Sequence, residues 1–471
     1  MNVIVTGAGI GGLTAALLLA RDGHEVTVLE RDPAPPPDPD QAWDDWERRG
    51  VNQFRLPHFF VPRFRSIVDT EIPDLAEALT HAGLLRFNFL DQIPDEMKGG
   101  DRPGDEEFTV ITGRRSVFEA VVAAFSEADD RIRVRRGAPV GGLASGAESA
   151  TGIPHVTGVL TEDGQTIEAD LVVDASGRRS QLPRWLADIG AQAVAEELDD
   201  CGFVYYGRHF RSPDGTLPVV IGPPLQHYGS ITALLLPADN GTWSTTLVVS
   251  ARDEAMRALR NVDTWTSTVK ALPLAAHWLD GTPLEDRVMS MAKIEDRHRS
   301  FTGAEGGPLA TGVVALADSW ACTNPSLGRG ASIGAVHAQA LRNLLRTDEA
   351  DNPLELASAW NEVTAETVEP WYRATLSFDR HRLGEVHAAM AGEPYNSEDP
   401  AWTRQKALDA AAGRDGDCLR ASLSVAGVLT TPDELFADKV FADKVNELGG
   451  DYADAPGLGP DREQLLTIVG A

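Results

Sequence analysis

Cysteine is scarce in this chain: Cys201, Cys322 and Cys418 are the three among 471 residues. Their wide spacing gives neither a disulfide framework nor a metal-ligand pattern, so each reads as a small buried side chain and a cytoplasmic, reducing setting is expected. Positive charge is also short. Against 42 Lys and Arg stand 71 Asp and Glu, a formal net charge of −29. That field opposes a nucleic-acid or anionic-membrane partner and suits a strongly solvated surface. No apolar run approaches the ~18 residues that a membrane helix needs. Met1 leads directly into a strand-like run, so no signal peptide is expected.

What remains is the composition of a folded protein. With 42% hydrophobic and 24% charged residues, the 471-residue chain can bury a sizeable core. It should divide into two or three domains, at roughly 100–200 residues each.

The strongest signal comes first. Residues 2–6 (NVIVT) read as a short buried strand, and Gly7, Gly9 and Gly12 then follow in the order G-x-G-x-x-G ahead of the apolar run 13–20. Strand, tight turn and helix are implied. The first glycine allows the turn, the second lets a pyrophosphate approach the backbone, and the third lets helix lie close to strand, with N-terminal N–H groups aimed at the phosphates. A second strand, residues 25–29, ends in Glu30, an acid about 20 residues beyond the glycines, where a carboxylate accepts from an adenosine ribose. An acid here, followed by Arg31, fits NAD or FAD and disfavours NADP, whose 2′-phosphate would meet like charge.

Residues 32–40 (DPAPPPDPD) form a proline-rich acidic loop that cannot be helix or central strand. The chain returns through Gly50, Val51, Asn52, Gln53 and His58 into a helical-looking segment, 59–70, and a second one, 74–82. Gln53 and His58 are candidates to face a flavin or substrate, a packed loop role being the plainer reading. After the strand-like 109–112, residues 116–128 place Val117, Phe118, Val121, Val122 and Phe125 on one helical face. Arg115 therefore stands at a helix start, where a cation opposes the dipole and calls for an anionic partner, a cofactor phosphate being one candidate. Residues 131–136 alternate as a half-buried strand, and 156–160 with 166–168 around Asp163-Gly164 read as a hairpin. A buried strand, 170–173, ends in Asp174-Ala175-Ser176-Gly177. Between 199 and 297 the texture changes to strand-like runs at 203–210, 230–236 and 242–250, an antiparallel sheet. A further buried strand, 313–317, ends in Asp318, followed by Asn324-Pro325-Ser326-Leu327-Gly328-Arg329-Gly330 and a helix through 345. From 353 on the chain is mostly helical, with the pentapeptide Phe-Ala-Asp-Lys-Val at 436 repeated at once from 441.

Three strand-plus-turn elements therefore form a set: Gly7-Ala8-Gly9-Ile10-Gly11-Gly12 with Glu30, the stretch from Asp174 to Ser180, and Ala317-Asp318 with the Pro325 to Gly330 loop. On these residues the chain resembles the group A FAD-dependent monooxygenases of the para-hydroxybenzoate hydroxylase type. The segments 50–58 and 180–186 look nearest to the epoxidase and hydroxylase members of secondary metabolism. The resemblance covers roughly residues 1–350. It implies a mixed α/β (α+β) fold: a Rossmann-like FAD-binding domain in three parts (1–70, 109–190 and 298–350), a substrate-side insertion (71–108), an inserted antiparallel-sheet substrate domain (191–297) and a helical C-terminal region (351–471).

It also implies FAD, reduced by NADH or NADPH directly or through a partner reductase, forming a C4a-hydroperoxide with O2 and passing one oxygen to a small organic substrate. Arg115 would lie near the pyrophosphate, Val140 beside the adenine, and Asp318 at a ribityl or ribose hydroxyl. The glycines of the 325–330 loop would let the N–H groups of Gly330, Ala331 and Ser332 meet the flavin N1–C2=O edge, where the helix's positive end stabilises the reduced anion. Two positions depart from the family pattern. Ala317 replaces a glycine, which reads as mild, and the second motif's usual Asp-Gly is Asp174-Ala175, which puts direct NADPH use in question. No obligatory acid or base can be named. Tyr205, Tyr206, His209, His227 and Trp320 are pocket candidates for which packing is the plainer role. A flavin halogenase would need a Trp-x-Trp stretch, which is missing. A reductase of the geranylgeranyl-reductase kind would form product without oxygen.

Overall fold

A computed structural model describes residues 1–48, 50–452 and 459–471. Its centre is a five-stranded parallel sheet in the order Val313–Ala315, Leu171–Asp174, Asn2–Thr6, Glu25–Glu30 and Ile132–Arg136. Its three inner strands are almost wholly enclosed, which is why they read as continuous apolar runs and not as alternations. Thr6 pairs with both Asp174 and Leu29, and Asp174 with Ala315. The three motif loops therefore leave the sheet from one common edge, the place where open α/β sheets bind ligands.

Helix Ile10–Arg21 packs on this sheet beside helices Arg115–Glu127 and Gly330–Leu344, and the shared core runs through Leu17, Val28, Phe118 and Leu341. The hairpin expected around Asp163-Gly164 is present as part of a three-stranded meander, Val140–Ser145, Val156–Thr161 and Thr166–Glu168. The segment expected to be helical from 59 instead begins as a strand, Pro57–Phe60, paired antiparallel with Val110–Arg114, and becomes helix at Pro62–Glu71. The proline at the helix start suits its first turn.

The antiparallel sheet carries Leu225–Tyr228, Ile231–Pro237, Thr242–Ser250 and Phe203–Arg211 as successive neighbours. Its far face is sealed by Trp243, Trp265 and Trp278. Among the described residues no helix is long and apolar enough to cross a membrane.

Candidate functional site

The three motif loops, the near face of the antiparallel sheet and the C-terminal helices enclose one cavity of about 1640 Å³. This exceeds the few hundred to ~1,000 Å³ of an ordinary small-molecule pocket, and suits a dinucleotide together with a substrate.

The first turn divides its glycines by task. Gly7 takes φ +100°, and a Cβ there would lie 2.6 Å from the Ala175 carbonyl oxygen; a Cβ on Gly12 would lie 2.0 Å from that of Gly7. Those two glycines serve chain packing. A Cβ on Gly9 meets no protein atom within 4 Å, because it points into the cavity that Gly7, Gly9, Ile10 and Gly11 border. Ala8 and Gly12 do not border it; Ala8 instead donates its N–H to Glu30 Oε2 at 2.8 Å.

Glu30 is more heavily engaged than the sequence implies. Oε2 also accepts from Arg48 Nη2 at 2.7 Å, and Oε1 accepts from Asp32 N at 3.0 Å. Of the four lone-pair sites of a carboxylate, one on Oε1 remains for a ribose hydroxyl. Arg48, beyond the proline-rich loop, ties Glu30 to Glu119 (2.7 Å) and to the Ala8 carbonyl oxygen (3.0 Å). This buried bridge has no local sequence signature, since its partners are 18 and 71 residues away.

Arg115 borders the cavity as expected, but the anion that answers its charge is Glu119, one helical turn on. Its Nη1 also donates to Gln53 Oε1 (3.2 Å) and His58 Nε2 (3.0 Å). His58 is consequently an acceptor, held neutral with its pKa pushed down to about 3 by burial and by Arg115. Gln53 and His58 thus orient the arginine while bordering the cavity themselves. Arg31 and Val140 reach the same region.

Asp174 does not reach the cavity. It is buried and braces the sheet edge, accepting from Thr6 Oγ1 (2.7 Å), Ser176 N (3.1 Å) and Ser180 Oγ. Its place among the expected cofactor contacts is corrected to a structural one. The second and third motifs are held together by Arg299, which donates to the Ser319 and Arg178 carbonyl oxygens at 2.8 and 3.1 Å.

The third motif brings Asp318 to the cavity, where surrounding protein raises its carboxyl pKa against the pull of Arg115 and Arg178. Ala317 adopts φ +54°. The glycine-to-alanine change is therefore not mild: a left-handed alanine costs on the order of 1 kcal/mol. It is held there by the hydrogen bond from its N–H to His337 Nδ1 at 3.1 Å. Pro325, Gly328, Gly330 and Ala331 all border the cavity, and a Cβ on Gly330 would find no protein atom within 4 Å. The N–H groups of residues 330–332 are at the first turn of their helix, ahead of its internal bonds. The Ser332 side chain stays inside the protein.

Both ends of this loop are gripped by helix Glu369–Ala391, which the sequence left without a role. Asp379 Oδ1 accepts from Asn324 Nδ2 (3.0 Å) and Ser326 Oγ (2.9 Å), and Tyr205 donates its hydroxyl to Asn324 Oδ1 (2.6 Å). Arg329 lies over the Trp371 ring at 5.5 Å and is buried with no carboxylate in contact among the described residues. Burial lowers its pKa to about 10. Burial, and behind it the Asp296 charge, lifts Asp379 to about 7 from an ordinary 3.8, while Asn324, Ser326 and Arg329 oppose the rise. Because the folded carboxyl holds its proton to higher pH than the unfolded one, stability falls as pH rises between those values. Each unit of displacement is worth about 1.4 kcal/mol. Asp379→Asn should thus flatten this fall, giving a higher melting temperature than wild type at pH 8 and a similar one at pH 4, by calorimetry. A wild-type slope retained in the variant would remove Asp379 as its source.

Period-two alternation sorts the aromatic candidates. Tyr205 faces the cavity, whereas Tyr206 faces the opposite core, where its carbonyl oxygen accepts from Trp265 Nε1 at 2.8 Å. His209 is covered by Trp43, with ring centroids 4.6 Å apart. His227 and Trp320 border the cavity.

The chain is similar in sequence and in fold to known proteins. The model of the NAD(P)-binding Rossmann-like domain matches residues 5–35. The chain is similar to Protein Rv3254 of Mycobacterium tuberculosis, 28% identical over 395 residues and 78% of each chain. It is also similar to chloroplastic zeaxanthin epoxidase of Nicotiana plumbaginifolia, 24% identical over 76% of this chain and 51% of that one, so it spans about half of that relative. Its fold is that of p-nitrophenol 4-monooxygenase from Pseudomonas putida DLL-E4, with a TM-score of 0.60, 15% identity, and coverage of 91% of this chain and 98% of that one.

Proposed function

We propose that this chain, a group A FAD-dependent monooxygenase by its motifs, relatives and fold, inserts one oxygen atom of O2 into a small organic molecule of secondary metabolism by hydroxylation or epoxidation. The observation that carries this reading is the single cavity onto which the first turn, the 325–330 loop and the near face of the antiparallel sheet all open. The residues fit FAD: Gly9 and Gly330 present cradles that a side chain would fill, and one acceptor site on Glu30 is left for a ribose.

When bound, FAD supplies the reduction and the activation of O2, so the protein's share is position, water exclusion and charge. The N–H groups of Ile10 and Gly11 would receive the pyrophosphate, beside Arg48 and Arg115, whose charges Glu30 and Glu119 already answer. The N–H groups of residues 330–332 would receive the pyrimidine edge of the flavin. There the helix end would favour negative charge, and the buried Arg329 stands beside it. Leu234, Leu236 and Met291 give the facing wall an apolar surface that keeps water from the reacting region. NADH or NADPH provides electrons, directly or through a partner reductase.

The test is oxygen uptake by the FAD-loaded protein given candidate substrates with NADH or NADPH, with and without an added flavin reductase. Substrate-dependent uptake matched by oxygenated product is expected. Product formed equally well under nitrogen would replace this reading with that of a reductase.

A further inference from the structure

Helices Glu369–Ala391, Pro400–Ala412 and Gly416–Ala426 form a third wall of the cavity. On helix Pro400–Ala412 one lining face carries Trp402, Gln405 and Asp409, at the i, i+3, i+7 spacing that aligns side chains along one side. Trp402 meets Phe378 of helix Glu369–Ala391 with centroids 5.7 Å apart, and Phe378 meets His227 of the antiparallel sheet at 6.5 Å. Phe378 directly precedes Asp379, which grips the 325–330 loop. This aromatic wall therefore leads away from the flavin edge towards Asp409.

The charges here are asymmetric. Lys406 is spent on Glu385 (3.0 Å) and on the Trp402 ring (5.4 Å). Arg373, on the neighbouring helix, is spent on Glu197 and Glu369. His227 is kept neutral by burial and by Arg382 and Lys406. Gln405 Nε2 donates to Asp409 Oδ1 at 2.9 Å, a bond that uses neither the amide oxygen of Gln405 nor the second carboxylate oxygen of Asp409. The wall thus offers acceptors on an apolar surface, with no unspent cation on these faces among the described residues.

We propose that Trp402, Gln405 and Asp409 recognise the far end of an extended apolar substrate whose polar group donates hydrogen bonds, an amine or a hydroxyl, with Asp409 as the specificity-determining acceptor. The proposal rests on the cavity being the oxygenation site. A substrate ending in a carboxylate would meet Asp409 without a compensating cation and is rejected. Asp409 keeps its side chain open to the cavity, and the protein mass around that cavity raises its carboxyl to about 6, with Gln405 and Lys406 opposing and Glu385 adding to the rise. An ammonium group is therefore held better above that pH than below it.

The test is binding to the FAD-loaded protein of naphthylethylamine, naphthylethanol and naphthylacetate, read from naphthalene anisotropy at pH 5 and pH 8. Wild type should hold the amine and the alcohol at least ~tenfold tighter than the acetate at pH 8, as a hydrogen bond to a charged group predicts. An amine preference that grows from pH 5 to pH 8 identifies an ammonium; a pH-independent alcohol preference identifies a hydroxyl. Asp409→Asn should weaken the amine ~tenfold and the alcohol much less, since an amide oxygen still accepts. Three equal affinities, or an acetate preference, would overturn the proposal from wild type alone, whatever the variant does. Binding is read without oxygen, so a protein that ranks the probes as stated but consumes no O2 fails as an oxygenase while this recognition site stands.

Discussion

Replacing Gly9 with tryptophan should give a colourless protein that is otherwise folded. The Cβ at this position points into open cavity, so no protein atom opposes the new side chain and the parallel sheet has no reason to distort. The indole would instead fill the space in which a pyrophosphate approaches the N–H groups of Ile10 and Gly11. Flavin content, read from the visible spectrum after purification, should fall at least ~tenfold, with a melting temperature close to that of apo wild type. Gly12→Ala makes the contrast, because its Cβ would stand 2.0 Å from the Gly7 carbonyl oxygen and the expected result there is unfolding. Full flavin content in Gly9→Trp would show that the first turn holds no cofactor.

Gly330→Val is expected to leave flavin content largely intact and to destroy coupling. Its Cβ also meets open space, so the helix start should survive, but the branched side chain would hold the flavin edge away from the N–H groups of residues 330–332. Losing such preorganised donors costs on the order of 10²–10³ in rate where charge develops. Flavin reduction, followed by stopped-flow absorbance, should slow on that scale. Oxygen consumed should appear as H2O2 and not as product, because the reacting region no longer stabilises charge or excludes water. A variant with wild-type reduction rate and product-to-oxygen ratio would show that the loop is merely a helix cap.

Much of the site was legible before any coordinates. A parallel strand buried on both sides must be a short continuous apolar run, and the turn after it must use glycine where the backbone crowds; Val3 to Gly12 carry both constraints in consecutive residues. The apolar run ahead of Asp174 shows the same strand constraint, whereas the strand ahead of Asp318 stops at Ala315 and the positive φ beyond it falls on Ala317, not on a glycine. What could not be read there was the set of partners. Asp174 looks like a ligand because it ends a strand, yet Thr6 and Ser180 consume it. Arg115 looks like a phosphate contact because it opposes a dipole, yet Glu119 already answers it. Arg48, Arg299 and Asp379 carry no motif, because each acts on residues brought to it by other elements.

The duplicated pentapeptide gives the clearest division between the two levels. Its composition alone fixes that both copies can be helical. In the first copy Asp438 stands just outside a helix and caps it, accepting from Val440 N and Phe441 N, whereas Asp443 of the second lies within that helix. Val440 is 80% exposed and Val445 fully buried. Five residues turn an α-helix by about 500°, so identical side chains five apart face different directions. Only the packing of helix Lys439–Gly449 against helix Pro400–Ala412 decides which copy meets the core. The cavity follows the same division. Local sequence determined the turns that cradle a cofactor, because backbone conformation is a local property. The third wall, with Asp409 in it, was decided by tertiary structure, because which face of a helix is covered depends on what lies opposite.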